Sequence, residues 1–305
     1  MRTHELFASQ PLTVEACVRA GVLMLSESGI ENAENEAIWI LQSALSTTRL
    51  KLRVEGNRQV EPVARQRALD LLARRAAREP LQYVLGTQEF CGLEFLVEPS
   101  VLIPRLETEL LVQEICRHVV PPETSSSTCL IADIGTGSGC IAVAAARAMP
   151  RATVIATDCS REALQVARQN IARHGVAGRV MLAEGDLLEP LRSLQLDGSV
   201  AAIVSNPPYI PDGEYEALAP EVAWYEPRLA LAAGADGLEI HRRLIDEAAR
   251  CLRPGGLLVL EAGDGQATHL CLMAATQGLY RVLHTVRDLA GKERVVCLER
   301  TAVEV

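Results

Sequence analysis

The chain has 305 residues, 49% of them apolar and 23% charged, and a net charge of −9 at pH 7. These values indicate a globular protein with room for two domains. The negative charge argues against a protein that grips bare nucleic-acid backbone, and no apolar stretch reaches the roughly 18 residues of a membrane span.

The first 80 residues contain helical patterns only. Thr13 is placed to cap the first helix, with Leu23 on its apolar face, and the last helix carries Val63 and Leu69 at helical intervals. This last helix also carries five arginines, which we interpret as a solvated face: Arg65, Arg67, Arg74, Arg75 and Arg78.

Residues 81–104 change to a β-rich sequence punctuated by glycine and proline, which predicts a short hairpin. A helix is expected over 105–120. The polar cluster PPETSSST at 121–128 is the expected entry to a second domain.

From Cys129 onward, strands and helices alternate. Five strands are expected to be parallel, because helices connect them, and residues 280–300 predict a further pair with one antiparallel strand. The expected fold class is therefore α/β: a doubly wound sheet with a terminal antiparallel strand, preceded by a small helical domain. Ligands of such sheets bind at the carboxyl ends of the strands.

Cysteines and histidines favour a reducing compartment and no metal. The start of the chain, MRTHELFASQPLTVE, lacks the apolar core of a secretory signal. The nine cysteines form no C-x-x-C pair, which favours free thiols in the cytoplasm. The six histidines are scattered, so no metal site is expected.

The first strand ends in the glycine-rich sequence DIGTGSGC. Alternate glycines permit a tight turn and let a ligand approach the backbone, and the N–H groups of the next helix face the same ligand. The dinucleotide pattern G-x-G-x-x-G is not met, because Cys140 occupies its last position. The predicted cofactor loop consists of Asp133, Gly135, Thr136, Gly137, Ser138 and Gly139.

The next two strands also end in acids. Asp158 is placed to hydrogen-bond ribose hydroxyls, or else to cap the following helix, although Ser160 is better placed for capping. Asp186 and Leu187 end the third strand and give a weak signal for the edge and cover of an adenine ring.

The fourth strand leads into NPPY: Asn206, Pro207, Pro208 and Tyr209. Two prolines stop a strand and fix φ, and the residue before them is held extended. The segment is therefore either an inert turn or a rigid bracket for a flat group. Its place beside two other ligand signals at one sheet edge favours the bracket.

Taken in this order, these segments resemble the class I S-adenosylmethionine-dependent methyltransferases of the Asn-Pro-Pro-Tyr type. Four further segments resemble the HemK-type protein-glutamine methyltransferases that modify peptide-chain release factors: EPLQYVLGTQEF (79–90), LIPRLETELLV (102–112), EPRLALAAGADGLE (226–239) and DLAGKERVV (288–296). Residues 1–78 agree in architecture but carry no motif. Leu187 departs from relatives that carry an aromatic residue over the adenine.

The resemblance implies S-adenosylmethionine as the cofactor and class 1 release factors as protein substrates, methylated on the glutamine of a Gly-Gly-Gln loop. It implies a helical substrate-docking domain (1–80), a hairpin linker (81–104) and a methyltransferase domain (105–305). It makes Phe90 a candidate near the methyl donor, and Arg105 and Glu109 candidates for substrate binding. Hairpin packing and a local Arg–Glu pair explain these three residues equally well.

NPPY then has a chemical explanation. An amide nitrogen is a poor nucleophile, because its lone pair is delocalised into the carbonyl. The side-chain oxygen of Asn206 and the carbonyl of Pro207 would accept from its two N–H groups, and Tyr209 would stack on the flat amide. No strong base is needed, because the proton becomes acidic only once the nitrogen is alkylated.

Three alternatives remain. The first is a glutamine methyltransferase for a large-subunit ribosomal protein. The second is an adenine-N6 nucleic-acid methyltransferase, which the acidic total disfavours. The third is a non-catalytic adapter that binds the donor or a translation factor, which the intact Asn206 and the open glycine-rich loop disfavour. No membrane and no direct nucleic-acid partner are expected.

Overall fold

Residues 12–119 and 129–302 are described by the computed structural model of the protein. The polar cluster at 121–128 therefore lies outside the described residues. The chain divides into two compact units. The first unit, called the helical unit below, takes the described residues up to Thr87 together with Ala219–Tyr225, and the second takes Gln88–Leu218 and Glu226 onward.

From residue 12 onward, the first five helices of the helical unit are α1 (Val14–Glu27), α2 (Ala33–Ala44), α3 (Arg49–Val54), α4 (Pro62–Ala76) and α5 (Leu81–Leu85). Thr13 caps α1 as expected, since its hydroxyl oxygen accepts from the amide of Ala16 at 3.3 Å. The side chains of Cys17, Leu25 and Leu69 lie in the apolar core of this unit.

The expected apolar faces were wrong at two positions. Leu23 is 46% exposed and Val63 is 84% exposed. The buried stripe of α1 runs through Cys17, Gly21 and Leu25 at intervals of one helical turn, so Leu23 points away from it. Val63 lies in the first turn of α4, before the buried part of that helix begins.

The prediction of a solvated arginine face was wrong for Arg75, which is only 6% exposed. Its guanidinium donates to Glu36 at 2.5 Å and to Glu221 at 3.1 Å, and Arg78 donates to Glu221 at 2.9 Å. Glu221 belongs to the later segment Ala219–Tyr225, where Tyr225 also donates to the carbonyl of Ala77 at 2.6 Å. Local sequence spacing does not show this partner, because it lies 146 residues further along the chain.

The remaining elements follow in chain order. They are β1 (Thr87–Phe90), β2 (Leu93–Leu96), α6 (Glu109–His118), β3 (Cys129–Ile134), α7 (Cys140–Ala148), β4 (Ala152–Asp158), α8 (Arg161–Arg173), β5 (Val180–Glu184), α9 (Glu189–Ser193), β6 (Val200–Ser205), α10 (Pro220–Tyr225, in the helical unit), α11 (Glu239–Cys251), β7 (Leu252–Glu261), α12 (Ala267–Gln277), β8 (Tyr280–Arg287) and β9 (Glu293–Arg300). The predicted hairpin is the two-stranded sheet of β1 and β2.

Seven strands form one sheet in the order β5-β4-β3-β6-β7-β9-β8. Strands β3 to β7 are parallel, and β9 is antiparallel to both of its neighbours. This arrangement confirms the doubly wound α/β class with an antiparallel last strand. That strand lies between β7 and β8, so β8 forms the edge of the sheet.

Helices cover the sheet with two apolar clusters. All six residues of β6 are buried, as expected for a central parallel strand with helices on both faces. Within residues 12–119 and 129–302, no helix combines the length and the apolar character needed to cross a membrane.

Candidate active site

The carboxyl ends of four parallel strands lie side by side. Ile134 pairs with Thr157 on one side and with Ser205 on the other, and the Ser205 hydroxyl donates to the carbonyl of Ile134 at 2.7 Å. Ser205 in turn pairs with Leu260 of β7. The carboxyl ends of these strands thus carry four groups side by side: the glycine-rich loop after β3, Asp158 at the end of β4, Asn206 after β6 and Glu261 at the end of β7. Adjacent strands are about 4.8 Å apart.

The glycine-rich loop leaves open space beside its backbone. Gly135 and Gly137 have φ angles of +71° and +53°, and a Cβ at either would meet no atom within 4 Å. Gly139, at φ +80°, differs, because its Cβ would lie 3.2 Å from Ala167 of α8. The first two glycines therefore serve the turn and the free space above it, whereas the third allows α7 to pack closely on α8.

Asp133 holds the loop from below. Its Oδ2 accepts from the Thr136 hydroxyl at 2.6 Å and from the amide of Ala142 at 3.1 Å. The side chain is fully buried, and this burial raises the pKa of Asp133 to about 7. Among the described residues, Asp133 Oδ1 and the Ser138 hydroxyl are buried without a hydrogen-bond partner. Two unpaired polar atoms under an open loop fit a bound polar ligand.

Asp158 ties the loop to the start of α8. One carboxylate oxygen accepts from the amide of Gly137 and the other from the amide of Ser160, both at 2.9 Å. Burial is the main cause that raises the pKa of Asp158. Ser160 caps α8, as expected, since its hydroxyl accepts from the amide of Ala163 at 3.1 Å.

The two residues predicted at the end of the third strand, Asp186 and Leu187, make contacts within the protein. The Asp186 carboxylate forms an ion pair with Arg243. Leu187 has φ +46°, an uncommon angle for a branched residue, and its carbonyl accepts from the Thr157 hydroxyl at 3.2 Å. The loop that carries both residues is thus held at its backbone.

The NPPY segment is anchored on both sides. The side-chain nitrogen of Asn206 donates to the Thr108 hydroxyl at 3.2 Å, and Pro207 is buried. The carbonyl of Tyr209 accepts from Gln266 at 2.9 Å. The amide of Ile210 donates to Leu231 and its carbonyl accepts from Ala233, both at 2.9 Å. Hydrogen bonds on both sides therefore hold this segment, called the bracket below, in one position.

Sequence reasoning missed two polar residues behind this bracket. Glu261 ends β7 and Thr108 precedes α6, and both are almost completely buried. The Tyr209 hydroxyl lies 3.5 Å from Glu261 Oε1, and Glu261 Oε2 is buried without a partner. Burial raises the pKa of Glu261 to about 7. An acid that ends the apolar run LLVLE was the available signal.

Three candidates taken from the resemblance have structural contacts. Phe90 is 1% exposed and packs edge-to-face on Phe95, with ring centroids 6.1 Å apart. Glu109 accepts from the amide of Cys91 at 2.6 Å, and Arg105 pairs with Glu226. The Arg–Glu pair at 105 is thus with Glu226 and not with the neighbouring Glu109. A ligand role for these three residues remains a prediction.

A cavity of about 960 Å³ opens beside the bracket. Its lining includes Tyr209, Ile210 and Pro211 together with Gly263, Gln266 and Met273. This volume is at the upper end of the range of small-molecule sites, which run from about 300 to 1,000 Å³.

A second polar cluster comprises Glu114, His284 and Cys297, called the Glu114 cluster below, whose donor atoms lie within 4.8 Å of one another. Glu114 Oε2 lies 2.7 Å from His284 Nε2 and accepts from the Cys297 thiol at 3.6 Å. Glu114 Oε1 accepts from Arg117 at 2.6 Å. The carboxylate is therefore already satisfied by protein hydrogen bonds.

Two family models match the chain. The PrmC N-terminal domain matches residues 16–86, and the methyltransferase small domain matches residues 107–222. The first match lies in the helical unit, and the second contains the glycine-rich loop and NPPY.

Curated relatives cover nearly the whole chain. The release factor glutamine methyltransferase of Geobacter sulfurreducens is 47% identical over 89% of this chain and 91% of its own length. That of Moorella thermoacetica is 44% identical over 93% and 97%. Among solved structures, the hMettl16 catalytic domain is similar in fold, with a TM-score of 0.55 and 18% identity over 77% of this chain and 84% of that one.

Proposed function

The chain belongs to the release factor glutamine methyltransferases, and we propose that it methylates the side-chain amide of the glutamine in the Gly-Gly-Gln loop of class 1 release factors. The observation that supports this most directly is the bracket itself. Asn206, with its nitrogen already bound by Thr108, and the rigid Pro207–Tyr209 segment stand next to the glycine-rich loop on one sheet edge.

The proposed methyl donor is S-adenosylmethionine, which supplies a methyl group on a positively charged sulfur. The open space beside Gly135 and Gly137 and the unpaired Asp133 Oδ1 and Ser138 hydroxyl fit a polar ligand in the loop. Asp158 is the residue proposed for the ribose hydroxyls, and Asp186 and Leu187 are proposed for the adenine. Because the strands that lead into the glycine-rich loop and into Asn206 are neighbours, the donor would be bound beside Asn206.

The residues of the bracket orient the substrate amide. Asn206 Oδ1 and the carbonyl of Pro207 accept from the two N–H groups, which fixes the direction of the nitrogen lone pair. Tyr209 packs on the flat amide. The amide proton becomes acidic once the nitrogen is alkylated and would then pass to water, so the chain needs no strong base in the bracket.

The protein substrate is proposed to bind through the helical unit as well as at the bracket. The cavity beside Tyr209 has room for a short stretch of polypeptide.

All nine cysteines are free, which suits the proposed cytoplasmic location, where release factors are found.

The test is methyl transfer to a purified release factor with isotope-labelled S-adenosylmethionine, mapped by mass spectrometry. We expect the label on the Gly-Gly-Gln glutamine, and none on a release factor in which glutamate replaces that glutamine. Label on a large-subunit ribosomal protein or on adenine, with none on the release factor, would overturn the proposal in favour of the alternative enzyme.

Two variants of Asn206 test the bracket in the same assay. Asn206→Ala removes an acceptor for the substrate amide and should lower the single-turnover rate by about 10²–10³. Asn206→Asp keeps an oxygen but adds a charge that stabilises the positively charged donor before transfer, so its rate should lie between those of wild type and alanine. An alanine variant as fast as the aspartate variant would show that Asn206 is only a turn residue.

A further inference from the structure

The side-chain amide of Gln266 is fixed in one orientation by the backbone next to it. Its oxygen accepts from the amide of Gly263 at 2.9 Å. A backbone N–H only donates, so the oxygen must face Gly263 and the nitrogen must point the other way. The main chain of Gln266 is held as well, since its amide donates to the carbonyl of Gly263 and its carbonyl accepts from Leu270, both at 3.1 Å.

The nitrogen of this side chain serves two carbonyl groups. It donates to the carbonyl of Tyr209 at 2.9 Å and to that of Gly237 at 3.4 Å. A carbonyl oxygen only accepts, so both contacts require the nitrogen at this position. The side chain of Gln266 therefore joins three segments: the turn after β7, the bracket and the segment 231–237.

The hydrogen bond from Gln266 holds the peptide plane between Tyr209 and Ile210. The other polar atom of this plane is the amide nitrogen of Ile210, which donates to the carbonyl of Leu231 at 2.9 Å. Because the peptide unit is planar, two bound polar atoms fix its direction and with it ψ of Tyr209. The two prolines before Tyr209 restrict the chain on the other side. The backbone that carries the Tyr209 ring is thus held from both directions.

The ring of Tyr209 also approaches the turn after β7. A Cβ at Gly263 would lie 3.1 Å from Cδ2 of the ring and 2.8 Å from Gln266 Oε1. Gly263 has no left-handed φ, so glycine is needed here for the close approach and not for the backbone angle. At the far end of the ring, the Tyr209 hydroxyl lies 3.5 Å from Glu261 Oε1.

We infer that Gln266 and Gly263 are positioning residues for methyl transfer: they fix the place and direction of the Tyr209 ring. In the proposed function this ring packs on the flat substrate amide, and Gln266 acts through it without touching the substrate. A ring held in one position keeps the amide nitrogen aimed at the methyl donor, whereas a ring that turns loses this alignment. The inference rests on the proposed function and adds to it the residues that hold the stacking group.

Gln266→Glu removes the donor without changing the size of the side chain. The ionised carboxylate still accepts from the amide of Gly263 but cannot donate to the carbonyl of Tyr209. The single-turnover rate of release factor methylation, at saturating donor and substrate, should fall about 10- to 100-fold. The dissociation constant for S-adenosylmethionine should stay unchanged, because the glycine-rich loop is untouched. A variant with the wild-type rate, or one that loses donor affinity as strongly as rate, would overturn the positioning role.

Gln88→Glu is the matched control. The side-chain nitrogen of Gln88 donates to the carbonyl of Glu89 at 2.8 Å, so the same type of hydrogen bond is lost in β1 instead of at the bracket. Its rate should remain that of the wild type. A control as slow as Gln266→Glu would show that the loss has no connection with Tyr209 and would contradict the inference.

Gly263→Ala tests the close approach of the ring. The added methyl group pushes against the Gln266 amide and the Tyr209 ring, so the rate should fall about tenfold or more. Gly178→Ala is its control, because Gly178 also has no left-handed φ and its Cβ would meet no atom within 4 Å. Equal rates for the two glycine variants would speak against the inference.

Fluorine NMR of the full-length protein labelled with 3-fluorotyrosine follows the ring without any substrate. The chain has five tyrosines, and Tyr209→Phe identifies the resonance of Tyr209 by its absence. Gln266→Glu and Gly263→Ala should shift or broaden this resonance and leave the other tyrosine resonances in place. A Tyr209 resonance that stays unchanged in both variants would overturn the inference.

The two proposals fail differently. A wild-type protein that labels no release factor disproves the proposed function. An active wild type whose Gln266 and Gly263 variants keep both the rate and the Tyr209 resonance disproves only the positioning role.

Discussion

At the residue scale, the acids of the candidate site hold other parts of the protein in place. Asp133 binds Thr136 and Ala142, and Asp158 binds Gly137 and Ser160. Both acids thus hold the glycine-rich loop in the shape that leaves its open side free. The carboxylates that hold the loop are also the ones proposed to face the donor.

Asp158→Ala should therefore weaken binding of S-adenosylmethionine by about 1.5–3 kcal/mol, the value expected when hydrogen bonds to a charged acceptor are lost. Titration calorimetry measures the dissociation constant directly. Glu162→Ala is a suitable control, because Glu162 lies in the first turn of the same helix, α8, without a contact to the loop amides. Equal affinities of wild type and Asp158→Ala would remove Asp158 from the donor site.

At the element scale, the bracket depends on the segment 231–237 that runs beside it. Gly237 has φ +71°, and a Cβ there would lie 2.3 Å from the carbonyl oxygen of Tyr209. Only glycine permits this approach, since both the backbone angle and the missing Cβ are required. The close approach of the Tyr209 carbonyl thus explains physically why a glycine stands at 237, in the family-like sequence GADGLE.

Gly237→Ala should displace the Tyr209 carbonyl and lower the methylation rate at least tenfold, since small misplacements of reacting groups are costly. The control is Gly291→Ala: Gly291 has φ +79°, but its Cβ would meet nothing within 4 Å. It should lose only the stability that the strained angle costs, about 1 kcal/mol, and keep its rate. Equal rates for the two variants would show that the close approach has no functional effect.

The same scale shows what sequence could predict. Strands and caps with local signals were predicted well: β6 spans the expected 200–205, and Thr13 and Ser160 cap as expected. The register that brings Glu261 next to Asn206 depends on pairing between distant strands, so no local pattern shows it. For the same reason Arg75 was misjudged, because its partner Glu221 is far away in the chain.

At the scale of the whole molecule, polar clusters away from the strand ends need a separate explanation. The Glu114 cluster joins α6, β8 and β9, and no spacing of histidines or cysteines predicts it. Its carboxylate is bound by Arg117, His284 and Cys297. We interpret it as a hydrogen-bonded support for the antiparallel edge of the sheet.

Saturating EDTA should therefore leave both the methylation rate and the melting temperature unchanged. Thermal unfolding followed by circular dichroism, with and without EDTA, measures the second quantity. Cys297→Ser serves as the comparison, because it removes the strongest metal ligand of the cluster. A melting temperature that falls with EDTA, returns with Zn²⁺ and responds to neither in Cys297→Ser would show that the cluster holds an ion.

Two segments of the chain form the helical unit: the described residues up to Thr87 and the later segment Ala219–Tyr225. Glu221 holds the later segment in place, because it binds Arg75 and Arg78. The helical unit is therefore discontinuous in sequence, so a single recombination crossover could not exchange it for another. A foreign helical unit grafted at the N-terminus would leave Glu221 without its arginines, so the arginines and the glutamate have to be inherited together.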